Sequence, residues 1–174
     1  MRFAWKVLWL AIIGVALVQI AVTLFPSLAP IGRQNLVQPI SFNHKKHAGE
    51  LSLPCTTCHQ SVENQTFAGL PQTETCVTCH AAPLTKNPEE EKIRQYASKG
   101  EYIPWQRIYR MPGDVFFSHR RHVVLAKVEC ATCHGKMAEQ TTPPSRPLVN
   151  QTMAWCINCH QERRVSVDCN ACHK

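Results

Sequence analysis

The sequence predicts a fold of short helices and coil, with a core supplied by bound prosthetic groups and one N-terminal transmembrane helix in front of it. Three observations predict this fold class. All ten cysteines of the 174-residue chain lie in five CxxCH motifs. All nine histidines lie either in those motifs or in two copies of an FxHxxH phrase, and an apolar run stands near the N-terminus.

The apolar run predicts an uncleaved transmembrane anchor over residues 1–25. No residue between Val7 and Phe25 is charged, so at about 1.5 Å per residue a helix here would span roughly 28 Å, close to the hydrocarbon thickness of a bilayer. A cleaved signal peptide is one alternative, but its cleavage site would be Ser27–Ala29, directly before a proline. A buried core helix is the other, and the rest of the chain offers too little apolar mass to enclose it. The positive charges before the run place the remaining residues on the outer side of the cytoplasmic membrane.

Each CxxCH motif predicts one covalently attached haem c. The two cysteines of such a motif form thioethers with the vinyl groups, and the adjacent histidine binds the iron as proximal ligand. The motif cysteines are Cys55, Cys58, Cys76, Cys79, Cys130, Cys133, Cys156, Cys159, Cys169 and Cys172. The proximal histidines are His59, His80, His134, His160 and His173. We therefore expect five covalently bound haem c groups.

Two other uses of paired cysteines fit the sequence less well. Zinc binds to paired CxxC strings in Cys₄ sites, but five pairs do not divide evenly into such sites. Thioredoxin-like redox chemistry needs a βαβ context, and no such pattern surrounds any of the motifs.

The four remaining histidines predict a second iron ligand for most of the haems. They are His44, His47, His119 and His122, and each pair belongs to an FxHxxH phrase that ends eight residues before a CxxCH motif. Side chains at positions i and i+3 of a helix or turn project to the same side, so one phrase can serve two neighbouring haems. The repeat indicates two related haem-binding modules. The alternative is that these histidines are solvent-exposed members of basic runs.

An FxHxxH phrase followed by CxxCH resembles the opening of the class III cytochromes c, of the c3 and c7 types. The resemblance implies a small c3/c7-like multihaem fold. It also implies that the first histidine of a phrase binds the haem of the next motif and that the second binds a later haem. Carried over by position, the ligand pairs are His44 with His59, His47 with His80, His119 with His134, and His122 with His160.

The haem of the last motif is left without a histidine for its far side. In the c7 pattern the remaining distal ligand lies a few residues before the middle CxxCH motif, where this sequence has Met153. We therefore predict Met153 opposite His173, giving one His/Met haem beside four bis-His haems. A thioether ligand raises the reduction potential relative to histidine. Met111 and Met137 are alternative ligands, and packing of Met153 beside a porphyrin is a further alternative.

The motifs divide the chain into five predicted segments. These are the anchor (1–25), an extended linker (26–41), a two-haem module (42–84), a haem-free helical and aromatic connector (85–113) and a three-haem c7-like module (114–174). In the connector, Asn87 and Pro88 predict a helix N-terminus, and the helix is expected to end near Ser98. The aromatic and basic stretch 102–112 is expected to pack between the modules or against another subunit.

Charge and iron ligation together favour electron transfer. The formal net charge of +7 is offset by the two propionates of each haem, so no basic face remains for nucleic acid. A six-coordinate iron does not readily bind a substrate, so the chain is expected to be an electron-transfer subunit and not itself an enzyme. The rival functions are a multihaem reductase with an open haem at the last motif and a stand-alone quinol dehydrogenase.

Two further phrases, Ile103–Arg107 and Met153–His160, resemble the pentahaem subunit of bacterial alternative complex III, as do the N-terminal helix and the haem motifs. The resemblance implies a quinol-oxidising respiratory complex with an iron-sulfur and molybdopterin-type subunit, polytopic quinol-binding subunits and a monohaem cytochrome. Electrons would pass to a periplasmic acceptor or an oxidase. The implied location is the cytoplasmic membrane, with a single span and with the haem-binding part on the periplasmic side.

Overall fold

The computed structural model describes residues 2–24 and 36–174. The chain forms two units, residues 1–35 and 36–174. Most of the predicted linker, residues 26–35, lies outside the described residues, and so does the alternative cleavage site.

The described part of the first unit is one α-helix, α1 (Arg2–Leu24). Throughout residues 2–24 and 36–174, none of the helices combines the length and the apolar character that a bilayer crossing needs. The predicted transmembrane anchor over residues 1–25 is therefore not confirmed.

The second unit is built from short helices, as the sequence predicts. Its α-helices are α2 (Cys55–Cys58), α3 (Thr73–His80), α4 (Pro88–Ser98), α5 (Cys130–His134), α6 (Met153–Glu162) and α7 (Cys169–Cys172). Two π-helical turns, Lys45–Glu50 and Arg121–Leu125, and one 3₁₀ turn, Met137–Glu139, complete the helical structure. All of these α-helices except α4 carry the cysteines of a CxxCH motif, so helices form mainly where the motifs lie.

Side chains supply little of the interior of residues 36–174. The buried apolar residues there are Ile40, Val62, Ile93, Ile103 and Val128. Three of them, Ile40, Ile93 and Ile103, form one cluster, with Tyr96 and Trp105 packed against it. Large apolar side chains elsewhere, such as Leu51 and Leu125, are more than half exposed. This distribution is what a fold with a prosthetic-group interior requires.

The two FxHxxH phrases fold in the same way, 75 positions apart along the chain (His44 to His119). In both copies the amide of the second histidine donates to the carbonyl four residues earlier at 3.4 Å. Its carbonyl accepts from the amide six residues later, at 3.0 Å in the first copy and 2.9 Å in the second. Each phrase then turns at a residue with positive φ, Ser52 at 54° and Lys127 at 52°. Equivalent turns therefore lead from each phrase to the motif that follows it.

The connector begins with the capped helix that the sequence predicts. The Asn87 side chain accepts from the Glu89 amide at 3.0 Å, and Pro88 occupies the first turn of α4. The helix ends at Ser98, directly before Lys99 and Gly100. The asparagine side chain accepts a hydrogen bond from one backbone N–H of the first turn, and proline has no N–H that needs a partner. Together the two residues fix the start of the helix.

The rest of the connector contacts both predicted modules. The buried Thr73 hydroxyl at the start of α3 accepts from the Ile103 amide at 3.1 Å. Further along, the Tyr109 ring meets the His134 ring edge to face, with 4.6 Å between the ring centres. Parts of the aromatic stretch therefore pack within the chain.

The last segment closes on itself through the C-terminus. An isolated antiparallel bridge joins Val115 and His173, and the Phe116 amide donates to the Cys172 carbonyl at 2.7 Å. The residues that precede the second FxHxxH phrase therefore lie beside the last CxxCH motif.

Candidate haem-binding sites

Each CxxCH motif forms a helical turn. Its two cysteines are three residues apart, and side chains at that spacing share one face of a helix. None of the ten cysteines forms a disulfide. Each site therefore presents two thiols and one histidine from a single turn, which is the set of groups that haem attachment and proximal ligation use.

The structure brings four proximal histidines close to the distal histidine predicted for each. The measured ring-centre distances are 6.0 Å for His47 and His80, 6.2 Å for His119 and His134, and 6.1 Å for His122 and His160. For the remaining predicted pair, the His59 imidazole contributes to the lowered pKa of His44. An imidazole nitrogen binds a transition metal at about 2 Å, so two rings on opposite faces of one metal have centres roughly 6 Å apart. The measured separations fit two ligands of one iron.

A phenylalanine orients both histidines of each phrase. In the first copy the Phe42 ring stacks on His47 at 4.4 Å and meets His44 edge to face at 4.8 Å. In the second copy Phe117 makes the same two contacts with its own histidines, at 4.7 and 4.9 Å. The interplanar angles, 27° and 86°, are the same in both copies. One aromatic ring thus holds the two imidazoles at a large angle to each other, so they face different sites.

Hydrogen bonds at Nδ1 orient most of the imidazoles. Five rings have a backbone carbonyl as the Nδ1 partner: His47 with Asn43 at 2.9 Å, His59 with Gly69 at 2.8 Å, His119 with Thr66 at 3.0 Å, His122 with Ser118 at 2.8 Å and His160 with Ser166 at 2.7 Å. A carbonyl only accepts, so each of these rings donates from Nδ1 and keeps the Nε2 lone pair free. That is the tautomer in which Nε2 binds a metal.

Burial keeps three of the histidines neutral. Desolvation, followed by the neighbouring imidazoles, lowers the pKa of His44 to about 4 and that of His134 to about 4. Desolvation also lowers the pKa of His119, against the opposing effect of its hydrogen bond to Thr66. Neutral imidazole is the form that coordinates a metal. His44, His119 and His134 are therefore in the ligating form at neutral pH.

A carboxylate lies beside the proximal histidine of the second site. Glu90 Oε2 is 3.8 Å from His80 Nδ1, which is beyond hydrogen-bonding distance. Its oxygens accept instead from Thr85 Oγ1 at 2.6 Å and from the amides of Leu84 and Thr85 at 3.0 and 3.2 Å. The Thr85 hydroxyl is the main cause that lowers the pKa of Glu90 to about 2. Glu90 is therefore ionised near His80 throughout the neutral range.

The fifth site differs from the other four. Its proximal His173 has a carboxylate as Nδ1 partner, Asp114 Oδ2, at 3.3 Å. The methionines considered as its distal ligand lie on separate elements: Met153 begins α6 with 68% of its side chain exposed, Met111 lies in the connector, and Met137 begins the 3₁₀ turn. The assignment of Met153 stays a prediction.

Electrostatic effects between thiols link the five motifs in one row. Burial raises the pKa of four thiols, and a thiol of a neighbouring motif raises each of these pKa values further. The four thiols are those of Cys58, Cys130, Cys133 and Cys156. The effect comes from Cys79 for Cys58, from Cys55 for Cys130, from Cys156 for Cys133 and from Cys172 for Cys156. The motif row therefore runs from the second motif through the first, third and fourth to the fifth.

Backbone carbonyls of the loop after the first motif accept hydrogen bonds from histidines of two different sites. The sequence did not reveal these bonds. The Gly69 carbonyl accepts from His59, and the Thr66 carbonyl accepts from both Nδ1 and the amide of His119, each at 3.0 Å. Backbone carbonyls are common to every residue, so they leave no mark in a sequence. The only signal was Gly69, whose φ of +77° is a conformation that glycine adopts without strain.

The donor set fits haem better than zinc. Within residues 2–24 and 36–174, no three His, Cys, Asp or Glu side chains gather as the ligands of one metal ion would. In contrast, every motif offers two thiols with an adjacent imidazole, and four sites add an opposing imidazole.

Comparisons with known proteins agree with this donor set. Residues 115–174 match the family described as cytochrome c7 and related cytochrome c, and residues 26–103 match the class III cytochrome C family. A curated relative is the menaquinone reductase, multiheme cytochrome c subunit, of Nitratidesulfovibrio vulgaris strain Hildenborough. It is 32% identical to this chain, and the match covers 79% of this chain and 77% of the relative.

Proposed function

Since the chain belongs to the class III and c7-like multihaem cytochromes c, we propose that it is the electron-carrying subunit of a quinone-linked reductase complex. It carries electrons and is not the catalytic subunit. The similar chain from Nitratidesulfovibrio vulgaris is, by its name, the cytochrome subunit of a menaquinone reductase.

The observation that carries the proposal is the pairing of imidazoles at four sites. Haem supplies one-electron redox chemistry when bound, and an iron with both faces occupied has no open position for a substrate. We propose that the ten motif cysteines hold five haems by thioethers and that the five motif histidines are the proximal ligands. The distal ligands are then His44, His47, His119 and His122, with Met153 at the fifth site.

The chain's own residues support electron carriage through their fixed geometry. Stacked phenylalanines and Nδ1 hydrogen bonds hold the ligating rings in one orientation, so little has to move when an electron arrives. The motif row supports a continuous path, since for each two neighbouring motifs a thiol of one raises the pKa of a thiol in the other.

The haem count and ligation are tested on the full purified chain. Intact mass is expected to show five covalently added haem groups, and the oxidised protein is expected to be almost entirely low-spin. Markedly fewer groups, or zinc in their place, would overturn the proposal. A large high-spin fraction that binds carbon monoxide after reduction would instead favour a multihaem reductase with an open haem.

The partners proposed are the other subunits of a membrane respiratory complex. The resemblance to alternative complex III favours an iron-sulfur and molybdopterin-type subunit, polytopic quinol-binding subunits and a monohaem cytochrome, with electrons leaving a quinol. The relative's name favours electrons moving to menaquinone. Both assemblies exchange electrons with a quinone, and they differ in direction.

The direction is measured on the complex purified in mild detergent. Addition of a menaquinol analogue is expected to reduce the haems if the complex oxidises quinol, and menaquinone is expected to reoxidise pre-reduced haems if it reduces quinone. Absence of both reactions would contradict a quinone-linked role. The purified chain alone is the control, and quinol oxidation by it would favour a stand-alone quinol dehydrogenase.

We also propose that residues 1–25 attach the chain to the cytoplasmic membrane, with the haem-binding part on the periplasmic side. The uncharged run from Val7 to Phe25 supports this proposal. Full-length protein is expected to stay with membranes after alkaline carbonate extraction, and a variant starting at residue 36 behind a cleavable export signal is expected to be released. Release of both, or of neither, would contradict the anchor.

A further inference from the structure

Asp114 is fixed beside the proximal histidine of the fifth site by the backbone as well as by its side chain. The Lys174 amide donates to the Asp114 carbonyl at 3.1 Å, and the neighbouring Val115 forms the bridge to His173. These contacts hold the Asp114 carboxylate at 3.3 Å from His173 Nδ1. The position of the carboxylate therefore follows from the closure of the last segment and does not depend on a long flexible side chain.

The Nδ1 partner of His173 differs from those of other proximal histidines. His59 and His160 donate to neutral backbone carbonyls, and the Glu90 carboxylate near His80 is too far away for a hydrogen bond, at 3.8 Å. Among the described residues, Asp114 is the carboxylate that lies within hydrogen-bonding distance of a proximal histidine.

A carboxylate partner changes the ligand electronically as well as in orientation. It selects the tautomer with Nε2 free for the metal, and its negative charge makes the imidazole more basic than a carbonyl partner does. A more basic axial ligand stabilises the oxidised iron, so it lowers the reduction potential. At the fifth site this effect opposes that of a thioether on the other face, which raises the potential.

We propose that Asp114 is a positioning residue that orients His173 and lowers the reduction potential of the haem attached at the last motif. This inference rests on the proposed function, because it requires haem at that motif. The site that lacks a distal histidine thus has a charged partner on its proximal side, at one end of the motif row.

The test is a spectroelectrochemical titration of the full haem-loaded chain and of three variants. Asp114→Asn removes the charge, and one of the haem transitions is expected to move to higher potential while the others stay in place. Asp114→Glu keeps a carboxylate and is expected to shift that transition less. Asp168→Asn is the matched control, because Asp168 precedes the same motif and bonds to Ser166 and not to His173. It removes the same charge and is expected to shift the transition less than Asp114→Asn does.

The outcomes separate this inference from the proposed function. Five haems by intact mass, with potentials that Asp114→Asn leaves unchanged or shifts no more than Asp168→Asn does, would overturn the role of Asp114 alone. Fewer than five haems in the wild-type chain would overturn the proposed function, and this inference with it.

Discussion

The Thr73 hydroxyl offers a direct test of how the connector is held to α3. Thr73 is 1% exposed, and its Oγ1 donates to the Glu101 carbonyl at 2.8 Å while it accepts from the Ile103 amide at 3.1 Å. Thr73→Val keeps the shape and removes both bonds. A buried polar group left without a partner costs about 1–3 kcal/mol, so two such groups give an expected loss of about 2–6 kcal/mol in the free energy of unfolding. Thr73→Ser keeps the hydroxyl and loses one methyl, at about 1 kcal/mol.

The measurement is guanidinium unfolding of the haem-loaded chain, followed by circular dichroism. The Val variant is expected to unfold at a lower denaturant concentration than the Ser variant, with the same slope for both. If the two variants lose the same stability, or if Val loses less, the hydroxyl does not hold the connector and the reasoning is wrong. Because Thr73 begins the helix that carries the second motif, the Val variant also reports on how much that site depends on the connector.

Three further predictions follow from the sites and turns. His122→Ala removes the proposed distal imidazole of the fourth site, so one additional haem per chain is expected to bind carbon monoxide after reduction, and unchanged binding would contradict the assignment. Gly135 has φ +67° and ψ −161°, and an added Cβ there would meet a side-chain carbon at 3.2 Å. Gly135→Ala is therefore expected to cost about 1–3 kcal/mol in unfolding experiments. Gly100→Ala, also at positive φ but in open space, is expected to cost about 1 kcal/mol, and equal losses would refute the steric argument. Burial lowers the pKa of His44 and His134 from 6.5 to about 4, so the unfolded chain binds more protons between these values. Stability is therefore expected to fall as the pH drops from 6.5 to 4, and a denaturation midpoint that is constant over this range would contradict it.

Local features were readable from the sequence because their causes are local. The start of α4 depends on Asn87 and Pro88, which act on amides within one turn, and the structure confirms it. The ligand pairs were implied by the resemblance of the FxHxxH and CxxCH phrases to class III cytochromes c, and the structure brings three of them to ring-centre distances of 6.0 to 6.2 Å.

The features that were missed depend on contacts between distant residues or on backbone groups. Asp114 and His173 are 59 positions apart along the chain and come together only in the folded structure. Thr66 acts through its backbone carbonyl, a group that every residue carries. Ser52 and Lys127 adopt positive φ without being glycine or asparagine, so composition gave no sign of the two turns.

The proximity of Cys55 and Cys130 has a consequence for how the protein is made. These thiols belong to different predicted modules, yet Cys55 is near enough to raise the pKa of the Cys130 thiol. In an oxidising compartment, adjacent thiols are converted to a disulfide, and one such bond would block two attachment positions at once. With haem attached at both cysteines as proposed, attachment is expected either to precede the approach of these two thiols or to require a reductant that keeps both sulfurs available until it is complete.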